Sequence, residues 1–133
     1  MKIVIADDAL KSQMHAYLAL RLHHNCEIAE DREKAIYLVQ EYQPDMMLLA
    51  LRFNAEDDSN GEWEHLVKQI LDTNASLKLF GISDGNDEGL EARARELGFL
   101  NIIQRPLQRR QLLEMITTES NCHMKKGNIR KKK

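Results

Sequence analysis

The chain has 133 residues, 43% of them hydrophobic and 30% charged, with a formal net charge of −2, the profile of one soluble globular domain with its own core. No apolar run approaches the roughly 18 residues that a membrane span needs, and the amino-terminal MKIVIADD turns acidic too soon for a secretory signal. Cys26 and Cys122 lack metal-type spacing, so they are expected to be reduced cytosolic thiols, not a disulfide or a metal pair.

The near-neutral total hides an asymmetry. Residues 125–133, KKGNIRKKK, hold six of the 19 Lys and Arg; the other 124 residues carry 13 basic against 21 acidic side chains. Such an acidic body repels phosphates, so nucleic acid is expected to be reached only through the basic tail or a further domain. Residues 119–133 are expected to be a disordered tail or a linker, and 1–118 the folded domain.

Taken in chain order, KIVIA (2–6) is short and β-branched, a buried strand. Residues 9 to 23 place Leu10, Met14, Tyr17, Leu18 and Leu22 at helical spacing. CEIAE (26–30) is a second strand, after which Asp31 can cap a helix through about Tyr42, with Ala35, Leu38 and Val39 inward. Gln43-Pro44 ends that helix. DMMLLAL (45–51) is the most apolar strand and is expected at the centre of a sheet. NAEDDSNG (54–61) is a polar loop, and Trp63, Leu66, Val67 and Ile70 mark the next helix. LKLFGI (77–82) is a strand, SDGND (83–87) a turn, and 88–97 a helix that stops at Gly98. FLNII (99–103) is the fifth strand, and Pro106 starts a last helix with Leu107, Leu112, Leu113 and Ile116. Met14, Met46, Met47 and Met115 read as core, as does Trp63. His23 and His24 suit a helix carboxyl end better than a metal.

Five strands alternating with five helices predict an α/β domain, a parallel sheet with helices on both faces. Ligands of such sheets sit beyond the strands' carboxyl ends. There the sequence offers Asp7-Asp8 after the first strand, Ala50-Leu51-Arg52 after the third, Ser83 after the fourth and Arg105-Pro106 after the fifth. Adjacent carboxylates need a cation or a raised pKa, and either a hard metal such as Mg²⁺ or a nearby Arg answers that need.

In order and spacing, IVIADD, EKAIYLVQEYQPDMMLLAL, GIS and IIQRPL resemble the receiver domain of bacterial two-component response regulators, over residues 1 to about 118. The resemblance implies a flavodoxin-like, doubly wound five-stranded parallel sheet of order 2-1-3-4-5 with five helices. It implies a cytoplasmic signalling protein that takes a phosphoryl group from a histidine kinase onto an aspartate ending strand three, with Mg²⁺. Asp7 and Asp8 match the metal-binding acids, Ser83 the switch hydroxyl, and Pro106 the family's cis-proline.

The departures fall on the chemistry. Ala50 stands at the phospho-acceptor position, and a methyl group can neither attack phosphorus nor ligate a metal. Arg105 replaces a lysine, which is not a conservative exchange. Ile102 stands where an aromatic switch residue is common, Asn54 where proline is, and the loop up to Gly61 is long. The chain therefore resembles an atypical, or pseudo-, receiver. Asp45 lies roughly 16 Å away on the wrong sheet edge, so only Asp57 or Asp58 could substitute for the missing acid. Asp7 and Asp8 are expected either to keep a weakened Mg²⁺ site or to be a relic pair neutralised by Arg105 or Arg52, and no cofactor is required. Ser83 is expected to be a cap or turn residue more than a switch.

The expected function is phosphorylation-independent signalling through protein–protein contact. The face of helix four, strand five and helix five would carry it, with Arg93, Arg95, Phe99, Asn101, Gln108 and Gln111, and a homodimer is possible. The alternative is the regulatory domain of a larger DNA-binding regulator. An enzyme using Asp7 or Asp8 as a nucleophile is disfavoured because no general base is evident. The glycine-rich turn of a dinucleotide-binding fold is replaced by ADDALK.

Overall fold

The fold is taken from a computed structural model, which describes residues 1–53, 62–85 and 87–117. The expectations placed on Asn54, Asp57, Asp58, Gly61, Cys122 and the basic tail lie outside the described residues.

The elements are β1 (Lys2–Ala6), α1 (Leu10–Leu20), β2 (Asn25–Ala29), α2 (Arg32–Glu41), β3 (Met46–Ala50), α3 (Glu62–Thr73), β4 (Lys78–Ser83), α4 (Glu88–Leu97) and β5 (Asn101–Gln104). A fifth helix, α5, spans 109–117. All neighbouring strands pair in parallel, in the order β2-β1-β3-β4-β5. This is the doubly wound, flavodoxin-like order expected from the sequence. The step from β1 to β2 runs one way across the sheet and the next three steps run the other. Right-handed crossovers therefore put α1 on the face opposite α2, α3 and α4.

Strand burial follows position in the sheet. Every residue of the central β3 is buried, whereas the edge strands β2 and β5 alternate with solvent. Local signals close the helices as the sequence suggests. The Asp31 carboxylate accepts the Lys34 N–H at 2.8 Å at the start of α2. After α2, Gln43 takes a positive φ of 50° just before Pro44. Gly98 takes φ 113° and donates its N–H back to Ala94 and Arg95. The strand starting at Phe99 in the sequence reading begins at Asn101, and the last helix begins three residues beyond Pro106. Among the described residues no helix is long and apolar enough to cross a membrane.

One expectation is overturned. The row Leu10, Met14, Leu18 and Leu22 does mark a helix, but it faces outward, with 68%, 51%, 51% and 64% of each residue exposed. Met14 is therefore not core, unlike Met46, Met47 and Met115. The inward face of α1 is Ser12, Gln13, Ala16, Ala19 and Leu20. Its small alanines let the helix lie close to the sheet, and its two polar residues have inward partners. The Gln13 amide donates to the Asp7 backbone carbonyl, and the Ser12 hydroxyl accepts from Arg105. The physical reason for the inversion is thus polar connection to the carboxyl edge, which satisfies buried polar groups that would otherwise be costly.

Candidate functional site

The parallel register sets the carboxyl edge. Ala6 is level with Leu49, and Ala50 with Ile82, so Asp7 follows β1 beside Ala50, and Ser83 follows Ile82 on the other flank. β5 adds its last residue, Gln104, level with Ser83. The chain then turns through the cis Arg105–Pro106 bond, the geometry the resemblance implied for Pro106.

Asp7 is fully buried. Its Oδ1 accepts the Ala9 N–H at 3.0 Å and the Arg105 Nη2 at 2.6 Å. Its Oδ2 is buried with no hydrogen-bond partner. Burial pushes the Asp7 carboxyl above the usual range, and the Ala9 N–H and Arg105 only partly oppose this. Arg105 is clamped at three further points. Its Nε donates to Ser12 Oγ at 2.8 Å, its Nη1 to Asp84 Oδ1 at 2.8 Å, and its backbone N–H to the Ser83 carbonyl at 2.8 Å. Burial works against the guanidinium charge, but Asp7 and Asp84 outweigh it.

A second cluster lies on the β3–β4 side. Arg52, after β3, reaches Asp87 Oδ1 with Nε at 2.7 Å and Nη2 at 2.6 Å. Asp87 is nearly fully buried, and its Oδ2 accepts the Asp84 N–H at 3.1 Å. Burial raises the Asp87 pKa, but the Asp84 N–H and Arg52 win and hold it below the usual carboxylate range. The Ser83 hydroxyl donates to Glu91 Oε2 at 2.8 Å, with Asp87 Oδ2 at 3.4 Å, and accepts the Gly85 N–H at 3.0 Å. Ser83 thus ends β4 and is tied to α4, and it is not the cap of that helix. The residue at the cap position is Asp87, whose side chain makes no capping bond.

Ala50 closes β3 and is buried. Its carbonyl accepts the Trp63 indole N–H at 3.1 Å. Trp63 packs on Phe99, ring centroids 5.6 Å apart. Phe99 is therefore core, which corrects its expected place on a docking face. Ile102 is half-buried against β4: a β-carbon added at Gly81 would lie 3.2 Å from its Cγ1 and 3.0 Å from Leu51 Cδ2. Of the other face residues, Asn101, Gln108, Gln111 and Arg95 are exposed. Arg93 is tied to α3, donating to both Glu64 oxygens at 2.6 and 2.8 Å. Arg93 and Lys68 hold the Glu64 carboxyl down at about 2.

A hard divalent cation takes about six oxygen ligands, with carboxylates prominent among them. Among the described residues no group of three His, Cys, Asp or Glu is placed to hold a metal. The Ala50 side chain supplies no oxygen, and a guanidinium already sits on Asp7. Among the described residues Asp7 Oδ2 is a buried carboxylate oxygen left open, and Arg105 competes with any cation for the Asp7 carboxylate.

The sequence reading gathered Asp7, Ser83, Arg105 and Pro106 at this edge, and they are there. It missed Asp87, Glu91, Ser12 and Gln13. Asp87 directly precedes a helix, a capping signal, yet its partner Arg52 is 35 residues away, beyond any local pattern. The small residues Ser12, Ala16 and Ala19 share one helix face and were the readable hint that this face packs inward.

The sequence matches no protein-family model and no curated protein. Solved structures do resemble the fold. A CheY-like response regulator receiver domain protein from Methanospirillum hungatei JF-1 superposes with a TM-score of 0.80 at 16% identity, covering 94% of this chain and 97% of that one. The REC domain of AraT, a response regulator from Geobacillus stearothermophilus, gives 0.79 at 17% identity over 95% and 97%. NtrX from Brucella abortus gives 0.81 at 16% identity, over 99% of this chain but only 29% of NtrX. With its five parallel strands in the order 2-1-3-4-5 and its five helices, the chain has the fold of response regulator receiver domains.

Proposed function

We propose that the chain is a receiver-like signalling module that accepts no phosphoryl group, needs no Mg²⁺ and acts through protein–protein contact, not as an enzyme. One observation carries this reading. The position at the end of β3 is the methyl group of Ala50, and the acid beside it, Asp7, is paired with Arg105 at 2.6 Å. An internal cation stands where a metal would otherwise balance the carboxylates. A ligand shifts a two-state equilibrium only by its differential affinity for the two states. Without a covalent phosphoryl group, the Ser83–Glu91 and Arg52–Asp87 bonds hold α4 in one arrangement. Arg95, Asn101, Gln108 and Gln111 then offer a constant docking face for a partner or a second copy. The test is incubation with acetyl phosphate and Mg²⁺ followed by intact-mass measurement. The unmodified mass is expected; a stoichiometric added phosphoryl group would overturn the proposal.

A second reading is favoured by the NtrX superposition, in which this chain matches 29% of a larger protein. In it the chain is the regulatory domain of a DNA-binding regulator. A helix-turn-helix encoded directly after Lys133 supports that reading, and a native stop codon there removes it.

A further inference from the structure

The sheet edge away from Asp7 holds a cavity that the function proposed above does not use. It occupies about 870 Å³ at the starts of β1, β3 and β4, between the carboxyl ends of α2 and α3, a volume in the range of small-molecule sites. Buried Val39 and Pro44 give it an apolar part. Its frame is tied across three strands. Asp45 donates its N–H to the Lys2 carbonyl at 2.8 Å and accepts the Lys2 N–H on Oδ2 at 2.9 Å, and the Lys78 N–H reaches the Asp45 carbonyl at 3.2 Å. Asn74 fixes the wall after α3. Its Nδ2 donates to the Pro44 carbonyl at 3.3 Å, and its Oδ1 accepts the Ser76 N–H at 3.2 Å and the Ser76 hydroxyl at 3.0 Å.

Charge decides the ligand class. The lining carries one carboxylate, Asp45, and one side-chain ammonium, Lys78. They stand at the starts of neighbouring strands, with Lys78 level with Met46, the residue after Asp45. Yet among the described residues neither forms an ion pair, with the other or with any third group. Lys2 is engaged elsewhere, its Nζ donating to the Tyr42 carbonyl at 3.4 Å and lying 5.4 Å from the Tyr42 ring centroid. A lone anion here would face Asp45 and the carbonyl ends of two helices, which carry partial negative charge and have no basic residue in their last turns. A lone cation would face Lys78. A ligand carrying both charges balances both. Uncharged Gln40, Gln43 and Ser76 complete the polar lining and suit a neutral polar side chain. Gln43 lines the cavity from φ 50°, a left-handed position that glycine takes with less strain. We propose that this cavity binds a small zwitterion of the amino-acid class, with its ammonium at Asp45 and its carboxylate at Lys78.

The test titrates the full chain, labelled with ¹⁵N, with each of the protein amino acids in turn, and with acetate and methylammonium as lone-charge controls. At least one amino acid with an uncharged polar side chain is expected to give saturable shifts at the amides of Gln43, Asp45, Ser76 and Lys78. Acetate and methylammonium are expected to bind at least about tenfold more weakly. Asp45→Asn still accepts the Lys2 N–H, and Lys78→Gln keeps most of the side chain's length. Each should weaken binding of that amino acid at least about tenfold while leaving the thermal melt in place. The proposal is overturned if no amino acid shifts these amides, or if acetate or methylammonium alone shifts them as strongly. Binding that survives both substitutions at wild-type strength also overturns it. These readouts lie at the opposite sheet edge from Asp7, so they stand or fall apart from the question of phosphoryl acceptance.

Discussion

The Arg105 guanidinium meets the Asp7 carboxylate at 2.6 Å, joining the end of β5 to the end of β1 across two intervening strands. It also reaches Ser12 on α1 and Asp84 after β4. One side chain therefore ties four segments of the carboxyl edge together. Arg105→Ala removes the partner of a fully buried carboxylate and is expected to cost about 3 kcal/mol near neutral pH. The cost shrinks in acid, where a protonated Asp7 tolerates the loss. Urea denaturation at several pH values checks this, and a pH-independent cost would count against it.

Asp7→Asn should behave in the opposite way. Burial raises the Asp7 pKa above its unfolded value, so the folded state binds this proton more tightly than the unfolded chain does. The stability from that protonation is complete below the unfolded pKa and is lost as pH rises through the folded one. The ionised form is thus the costly one at neutral pH. The asparagine can still accept the Ala9 and Arg105 hydrogen bonds. Asp7→Asn is expected to match or exceed wild-type stability at pH 7, with any advantage vanishing at low pH. A large loss at pH 7 in thermal melts would contradict the assignment.

Ala50→Asp places a second carboxylate beside Asp7 at a position only 2% exposed. Like charges there repel and burial is costly, so a loss of about 2 kcal/mol is expected. Mg²⁺ should raise the melting temperature of this variant but not of the wild type. A variant as stable as wild type and indifferent to Mg²⁺ would mean that Ala50 does not face this pocket.

The two faces of α1 give a paired test. Ala16→Leu overfills the contact with the sheet and should cost about 2 kcal/mol. Leu18→Ser lies on the exposed ridge and should stay within about 0.5 kcal/mol of wild type. Chemical denaturation of the two variants distinguishes this arrangement from one with the leucines inward, which would reverse the order.

That reversal also shows where the sequence stopped being legible. Strand alternation, the Asp31 cap, the Gln43-Pro44 stop and the Gly98 terminus are local signals, so the α/β architecture could be read directly. The edge residues Asp7, Ser83, Arg105 and Pro106 could be placed because each directly ends or follows a strand. The face that α1 buries could not, because hydrophobicity pointed one way while the partners of Ser12 and Gln13 lay elsewhere: Arg105, 93 positions along the chain from Ser12, and the Asp7 carbonyl. Phe99 was misplaced for a related reason. It sits in the segment after Gly98 that read as strand, but its ring turns back onto Trp63. The Arg52–Asp87 pair needed β3 and β4 to be set side by side before it could be seen.

The central claim is that the carboxyl edge is neutralised from within and has no phosphoryl switch. The most direct measurement is the ¹H–¹⁵N spectrum of the full chain titrated with Mg²⁺ and beryllofluoride, following the amides of Asp7, Ala50, Ser83 and Gly85. The account predicts spectra that superpose throughout the titration. Saturable shifts at these residues that extend into α4 would contradict it.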